Sequence, residues 1–167
     1  MASGKTALGA SLSQYFGIPF YDTDKQIENQ TGKSINEIFE QLGETKFREM
    51  EKACIQNLKS EKDFVLSVGG GLPCFNDLMD DLNDLGLTIF LDVDFQQLLK
   101  RLESNSQYRP KIKDLKNEEF YQGISALYNT RKSTYKKAKY SLEIQDDGAK
   151  ESLKKLINLI TFHQKDL

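Results

Sequence analysis

Four residues at the start of the chain have the types and order needed to hold a phosphate group. Ser3-Gly4-Lys5-Thr6 precedes apolar residues at helical spacing. Glycine lets backbone N–H groups approach phosphate oxygens, a helix N-terminus attracts anions, lysine reaches phosphates and a threonine hydroxyl binds Mg²⁺. By itself Gly-Lys-Thr is a weak signal, because a helix cap beside a solvated lysine uses the same residues. The complete phosphate-loop pattern also needs a glycine five positions before Gly4, ahead of position 1.

Two aspartates lie at the end of the short strand predicted at residues 20–22. Asp22 and Asp24 are separated by one residue, so their side chains point to the same side of an extended chain. In a kinase, one carboxylate can lie near Mg²⁺ while another lies near a hydroxyl nucleophile, and this pair could divide the two roles in that way. Turn formation and helix capping use the same residue types and are an equally good interpretation.

Three consecutive glycines, residues 69–71, follow the apolar run 64–68, which is typical of a buried parallel strand. Glycines at the carboxyl end of a strand permit close backbone approach and present N–H donors to an anion. A flexible turn is the alternative interpretation.

Three arginines are candidates for binding anionic groups. Arg48 has Glu51 three residues later, and such a neighbour could hold the guanidinium in one rotamer for bidentate carboxylate recognition. Arg109 lies in a polar segment that could act as a lid and bring its charge onto a transferring phosphate. Arg131 lies on a predicted helix among lysines. The alternative for Arg48 is a surface ion pair, and the alternative for Arg109 is an ordinary arginine of a loop. For Arg131 the alternative is a solvated basic face of the helix.

The composition predicts one folded domain and excludes several classes of protein. The chain has 167 residues and a net charge of −2, so no overall positive field favours nucleic-acid binding. Its two cysteines, Cys54 and Cys74, cannot form a disulfide framework, and a reducing cytoplasm is the expected location. The apolar runs are far shorter than the roughly 20 residues that span a bilayer. A single histidine, His163, argues against histidine-based triads.

Strands alternate with helices along the chain, which predicts an α/β doubly wound parallel sheet. The strands are expected at residues 20–22, 64–68, 87–91 and 142–144. Thr23 with Gln26, and Ser34 with Glu37, have the spacing of capping boxes that begin helices. Gly43 is expected to end the second of these helices.

Taken together, these motifs resemble the shikimate kinase family. The matching segments are Gly-Lys-Thr (4–6), Phe-Tyr-Asp-Thr-Asp-x-x-Ile-Glu (20–28), Phe-Arg-x-x-Glu (47–51), Gly-Gly-Gly (69–71), Arg-Pro (109–110) and Arg-x-x-x-Tyr (131–135). The resemblance implies a P-loop NTPase-like three-layer sandwich, with a parallel sheet of order 2-3-1-4-5. Residues 1–167 are expected to form a single domain with a lid at about 104–115. The family's first strand is missing from this chain, which should leave the strands at 64–68 and 87–91 without their common neighbour.

The resemblance also implies an activity. A member of this family phosphorylates the 3-hydroxyl of shikimate with ATP and Mg²⁺, in chorismate and aromatic amino-acid biosynthesis. It is expected to act as a cytoplasmic monomer on the small molecules shikimate and ATP, without nucleic-acid or membrane partners. Two alternatives stay open: another small-molecule P-loop kinase, of the gluconate or nucleoside type, and a non-catalytic binder of shikimate or nucleotide, because the phosphate loop is truncated.

The resemblance assigns roles to individual residues. The nucleotide would be bound by Ser3, Gly4, Lys5, Thr6 and Arg109. The Mg²⁺ ion would be held by Thr6 and Asp22. Shikimate would be bound by Asp24, Arg48, the backbone N–H of Gly70, and Arg131. The catalytic residues would be Lys5, Asp24 and Arg109.

Overall fold

Helices and parallel strands alternate in the computed structural model, which describes residues 2–103, 117–145 and 148–165. The described helices are α1 Lys5–Phe16, α2 Thr23–Thr31, α3 Ile35–Leu58, α4 Leu78–Leu85, α5 Phe95–Glu103, α6 Asn117–Tyr135 and α7 Gly148–Lys165, with a 3₁₀ turn at Leu72–Cys74. The described strands are β1 Phe20–Asp22, β2 Val65–Ser67, β3 Ile89–Val93 and β4 Tyr140–Ile144. No helix in these ranges is both long enough and apolar enough to cross a membrane.

The strands form two parallel pairs. Strand β1 pairs with β2 in a register that places Asp22 opposite Ser67. Strand β3 pairs with β4, with Ile89 opposite Tyr140 and Val93 opposite Ile144. Within the described residues β2 and β3 are not hydrogen-bonded to each other. The predicted parallel α/β architecture is therefore confirmed.

A cavity of about 1690 Å³ extends between these two pairs of strands. Its walls include residues 65–68 on one side and residues 87–91 on the other, together with apolar side chains of α1. The α1 contribution consists of Leu8, Leu12 and Phe16. The facing edges of β2 and β3 therefore border one space, which separates two half-sheets, the β1–β2 pair and the β3–β4 pair. The same cavity reaches the beginning of α1 and the glycine segment 69–71.

Three apolar clusters support these elements. The first joins α1, α5, α6 and α7 to the β3–β4 pair, and includes Leu12, Val93, Leu102, Ile124 and Leu156. The second joins α2 to α3 through Ile27, Ile38, Phe47 and Cys54. The third packs α3 and α4 around Leu72. Burial in the second cluster fixes the middle of α3, which carries Arg48 and Glu51.

The Ser34–Glu37 capping box is confirmed at the start of α3, whereas the box predicted at Thr23 is wrong. The residue that caps α2 is Asp22, whose Oδ1 accepts hydrogen bonds from the backbone N–H groups of Asp24 at 3.1 Å and Lys25 at 3.4 Å. Thr23 is fully buried and its hydroxyl accepts a hydrogen bond from a distant backbone N–H group instead. The capping role therefore falls to the aspartate one position earlier.

Two predicted boundaries also differ from the structure. The strand expected at 87–91 lies at Ile89–Val93, because Thr88 uses its hydroxyl in the turn that precedes the strand, where it donates to Asn83 and accepts from the Lys139 N–H group. Gly43 has φ 78° and ψ 170°, so it interrupts the helix as expected. Helical geometry resumes after it, and the outcome is a kink within α3 rather than an end.

Candidate active site

The phosphate-loop motif lies at the N-terminus of α1. Gly4 is the N-cap residue, with φ 86° and ψ 11°, a left-handed conformation that a residue with a side chain adopts only with strain. The first-turn N–H groups of a helix have no partner within the helix, so this end attracts anions. Residues 2–6, including Ser3, line the large cavity, so the helix end faces the space between the half-sheets.

Lys5, Thr6 and the two aspartates form one polar cluster at the carboxyl end of β1. The Lys5 Nζ atom lies 3.3 Å from Asp22 Oδ2 and 3.9 Å from Asp24 Oδ2. The Thr6 hydroxyl donates to Asp22 Oδ2 at 2.7 Å. Ser67, opposite Asp22 in the sheet, donates to the Lys5 carbonyl at 3.1 Å and ties β2 to the start of α1.

The two aspartates have different acid strengths. Burial opposes ionisation of Asp22, but the Lys5 charge and hydrogen bonds from Thr6, Lys5 and the Lys25 N–H group outweigh it and lower the pKa of Asp22. Burial raises the pKa of Asp24, and the charge of Asp22 adds to that effect against the opposing charge of Lys5. Asp22 is therefore suited to remain an anion beside a cation, and Asp24 is the more basic carboxylate.

The Thr6 hydroxyl and Asp22 carboxylate fit a Mg²⁺ ion. Both supply the hard oxygen donors that Mg²⁺ prefers, and they already lie within hydrogen-bond distance of each other. In the part of the chain that the structure describes, no group of three or more His, Cys, Asp or Glu side chains could hold a metal.

Arg48 is buried and held by two glutamates of α3. Its Nη1 atom donates to Glu51 Oε2, and its Nη2 atom donates to Glu44 Oε1 at 3.1 Å. Burial opposes the charged form, but Glu51 and Glu44 outweigh it and raise the pKa of Arg48. A side-chain carbon placed on Gly71 would lie 2.0 Å from Nη2, so the guanidinium packs directly against the glycine segment. The predicted Arg48–Glu51 pair is present, and Glu44 is a partner that the spacing argument did not include.

Glu51 has no exposed surface, and burial raises its pKa to about 7 despite the neighbouring Arg48 charge. Its Oε1 atom has no hydrogen-bond partner among the described residues. A side-chain carbon on Gly69 would lie 2.6 Å from that oxygen and 3.2 Å from Asp24 Oδ1. Glycine at position 69 is therefore required by the close approach of two carboxylates.

The glycine segment is also fastened to elements on either side of it. The Gly69 N–H group donates to the Thr23 hydroxyl at 3.3 Å, and the Gly70 carbonyl accepts from the Tyr135 hydroxyl at 2.5 Å. Arg131, one helical turn before Tyr135, is 9% exposed and lines the same cavity as Gly70. The segment therefore lies between α2 and α6, with Arg48 beneath it.

The structure brings together most of the residues that the sequence singles out. Ser3, Gly4, Lys5, Thr6, Asp24, Gly70 and Arg131 line one cavity. Asp22 contacts this group through Lys5 and Thr6, and Arg48 contacts it through Gly71. Arg109 and the lid expected at 104–115 lie outside the described residues. The link between Tyr135 and Gly70 was not predicted, although the i+4 spacing from Arg131 placed Tyr135 on the same face of α6.

Comparison with known proteins gives one consistent result. The model of the family described as "Shikimate kinase" matches residues 1–161. A shikimate kinase of Bacteroides fragilis is 39% identical over 166 residues, which cover 95% of this chain and 93% of that protein. A shikimate kinase of Helicobacter hepaticus is 40% identical over 159 residues, covering 94% of this chain and 89% of that protein.

Solved structures agree with the sequence matches. The crystal structure of shikimate kinase from Bacteroides thetaiotaomicron has a TM-score of 0.87 at 32% identity, covering 96% of this chain and 94% of that one. The Acinetobacter baumannii shikimate kinase in complex with shikimate has a TM-score of 0.87 at 30% identity, covering 98% of this chain and 89% of that one. The predicted P-loop NTPase-like fold is thereby confirmed, and the chain belongs to the shikimate kinase family.

Proposed function

We propose that the chain transfers the γ-phosphate of ATP to the 3-hydroxyl of shikimate. Its family makes it a phosphotransferase that uses ATP, and a related structure at 30% identity is a complex with shikimate. The observation that carries the proposal is the distance of 3.9 Å between Lys5 and Asp24, in a cavity also lined by Gly70 and Arg131. A phosphate-binding lysine is thus adjacent to a carboxylate and an arginine that can bind an anionic acceptor.

The α1 end of the cavity suits the nucleotide. The backbone of Ser3 and Gly4 lies at the start of the helix, where N–H groups attract phosphate oxygens. Lys5 would contact the β- and γ-phosphates, while Thr6 and Asp22 would hold Mg²⁺. The ion, when bound, neutralises charge on the phosphates during transfer. The lowered pKa of Asp22 supports this assignment, because that carboxylate stays ionised at neutral pH.

The glycine-segment end suits the carboxylate of shikimate. Arg48 and Arg131 supply two guanidinium groups at 5% and 9% exposure, where charge is weakly screened. The Gly70 N–H group would be the third donor. An arginine fork matches a carboxylate geometrically, so this combination fixes the orientation of the acceptor as well as its charge.

Asp24 lies between the two ends and would accept the proton of the 3-hydroxyl. As that oxygen bonds to the γ-phosphorus, the bond from phosphorus to the β,γ-bridging oxygen breaks, and ADP leaves. Burial raises the pKa of Asp24, which makes it a better proton acceptor than an exposed aspartate. Lys5 stabilises the negative charge on the transferring group. We assign the same role to Arg109, from the lid proposed at 104–115.

We further propose that residues 1–167 act as a single-domain monomer in the cytoplasm, supplying shikimate 3-phosphate for aromatic amino-acid biosynthesis. The formal net charge of −2 supports a small-molecule role without nucleic-acid partners. Size-exclusion chromatography with light scattering would show a single species near 19.1 kDa if the monomer assignment is right.

A coupled assay for ADP release tests the activity. Shikimate should stimulate release from Mg-ATP, whereas gluconate and nucleosides should not. Lys5→Ala should abolish turnover while the chain still folds, because the Lys5 side chain is 31% exposed and outside the apolar clusters. Asp24→Asn should lower kcat about 100-fold or more, the usual contribution of a general base, with little change in ATP affinity.

Binding of shikimate without any turnover would support a non-catalytic binder, and stimulation by gluconate or a nucleoside would support another kinase.

A further inference from the structure

We propose that Tyr135 is a positioning residue, whose hydroxyl joins the glycine segment 69–71 to α6 and so fixes the peptide plane that follows Gly70, which helps to hold the Gly70 N–H group in place. The inference rests on the proposed function, which assigns that N–H group to the carboxylate of shikimate. Tyr135 itself touches no reacting atom in this scheme. It acts through the backbone of Gly70, to which its hydroxyl donates at 2.5 Å.

The Tyr135 hydroxyl lies between two of the three groups proposed for carboxylate binding. It donates to the Gly70 carbonyl, and the positive charge of Arg131, one turn earlier on α6, acts on the same phenol. Burial raises the pKa of Tyr135, against the opposing effect of Arg131, so the phenol stays protonated and able to donate at neutral pH. The phenol is thus bonded to the loop and lies within the electrostatic reach of the arginine.

The aromatic ring is fixed in a way that gives this hydroxyl a defined position. Its centroid lies 5.2 Å from that of Phe90 on β3, with an interplanar angle of 34°. Tyr135 is also the last residue of α6, and it lines the cavity that Gly70 and Arg131 share. The packing of the ring against β3, together with its place on α6, therefore fixes where the hydroxyl meets the glycine segment.

The glycine segment needs such an attachment because it has no side chains of its own. The Gly69 carbonyl accepts from the Leu72 N–H group at 3.1 Å, and the Gly71 carbonyl accepts from the Cys74 N–H group at 3.2 Å. Both of these bonds are local. Of the three loop carbonyls, that of Gly70 is held by the distant Tyr135. The planar peptide that contains the Gly70 N–H group is held through the Gly69 carbonyl, and the planar peptide that contains the Gly70 carbonyl is held by Tyr135. Because glycine rotates freely about the two bonds that join these planes, both planes must be held to fix the backbone of Gly70 and the position of its N–H group.

The substitution Tyr135→Phe tests this role, since it keeps the ring and removes the hydroxyl. The matched control is Tyr140→Phe on β4, whose hydroxyl is hydrogen-bonded to the His163 ring at 3.1 Å. Tyr140 is the first residue of its strand, whereas the site lies at the carboxyl ends of the strands. Both variants lose one phenol hydrogen bond, and their melting temperatures report its contribution to stability.

Calorimetric titration should show shikimate binding weakened about 3- to 10-fold in Tyr135→Phe, the range of one lost hydrogen bond. The KM for ATP and kcat at saturating shikimate should stay within about twofold of wild type, and Tyr140→Phe should match wild type in all three quantities. An unchanged shikimate affinity in Tyr135→Phe would overturn the proposal. Equal losses for shikimate and ATP would also overturn it, because they indicate general destabilisation.

A second measurement separates this inference from the proposed function. In protein labelled with ¹⁵N-glycine and free of ligand, the amide signals of residues 69–71 should shift and broaden in Tyr135→Phe but not in Tyr140→Phe. This result is expected even if shikimate proves not to be the acceptor. Glycine signals that are the same in wild type and Tyr135→Phe would show that the hydroxyl does not order the segment.

Discussion

Replacing Arg131 by alanine should weaken shikimate binding much more than ATP binding. The guanidinium is 9% exposed, so its interaction with a carboxylate is only weakly screened by solvent. A hydrogen bond to a charged group contributes about 1.5–3 kcal/mol, which corresponds to about a 10- to 150-fold loss of affinity. The nucleotide contacts proposed for residues 3–6 lie on α1 and should be unaffected.

The assay is calorimetric titration of wild type and Arg131→Ala with shikimate and with its carboxamide, which has the same ring and hydroxyls but no charge. Wild type should bind the carboxamide at least as weakly as the variant binds shikimate. The variant should distinguish the two ligands less than wild type does, because one of the two guanidinium groups that favour the charged ligand has been removed. Lys132→Ala is the matched control, because this neighbouring cation lies over the Tyr128 ring at 5.0 Å rather than in the site.

Two results would show that Arg131 does not bind the carboxylate. The first is an Arg131→Ala variant that binds shikimate as tightly as wild type does. The second is an equal loss for shikimate and the carboxamide, which would mean that Arg131 supports the shape of the cavity rather than binding a carboxylate. A similar loss in Lys132→Ala would show that the long-range positive charge of α6, and not a specific contact, attracts the ligand.

Three further predictions follow from the structure. Gly71→Ala should lower shikimate affinity by displacing the Arg48 guanidinium, because the new carbon would lie 2.0 Å from Nη2; an unchanged affinity would contradict that contact. The pKa of Glu51 is about 7 in the folded state and 4.5 in its ordinary, exposed state, so the folded chain binds this proton more tightly than the unfolded chain does. The contribution of Glu51 to stability is therefore complete below about pH 4.5 and is lost as the pH rises to about 7. The wild-type unfolding free energy should therefore fall across this window with a slope of up to about 1.4 kcal/mol per pH unit, and urea titrations of Glu51→Gln should show no such component. An apolar segment of strand-forming residues joined ahead of Ala2 should raise the melting temperature by several degrees, because it could pair with the facing edges of β2 and β3. An unchanged melting temperature would show that the cavity does not accept a strand.

The sequence predicts the parts of the site that depend on local order. Asp22 and Asp24 follow an apolar strand, and residues 69–71 follow another, so the rule that parallel strands end at the same edge of a sheet brings them together. The i,i+3 spacing of Arg48 and Glu51 likewise predicts their pairing. Each of these expectations needs only secondary structure and strand direction.

Other features depend on contacts that sequence spacing does not contain. The hydrogen bond between Tyr135 and Gly70 joins residues 65 positions apart, and it requires α6 to cross the glycine segment. Asp22 replaces Thr23 as the cap of α2 because the Thr23 hydroxyl is used by the Gly69 N–H group. Strand β3 begins two residues later than its apolar run predicts, since Thr88 takes part in the preceding turn. In each case a tertiary contact overrides a local preference.

In the proposed function, Lys5, Asp24 and the arginines form one site that phosphorylates a specific hydroxyl of shikimate. Phosphorus-31 NMR of a reaction containing the chain, shikimate and Mg-ATP would identify the phosphorylated position. One new phosphate monoester should form at the 3-position of shikimate, in a one-to-one ratio with ADP, and it should form about 100-fold more slowly with Asp24→Asn. Phosphorylation at another hydroxyl, or ADP formed with inorganic phosphate in place of the ester, would contradict the proposed function.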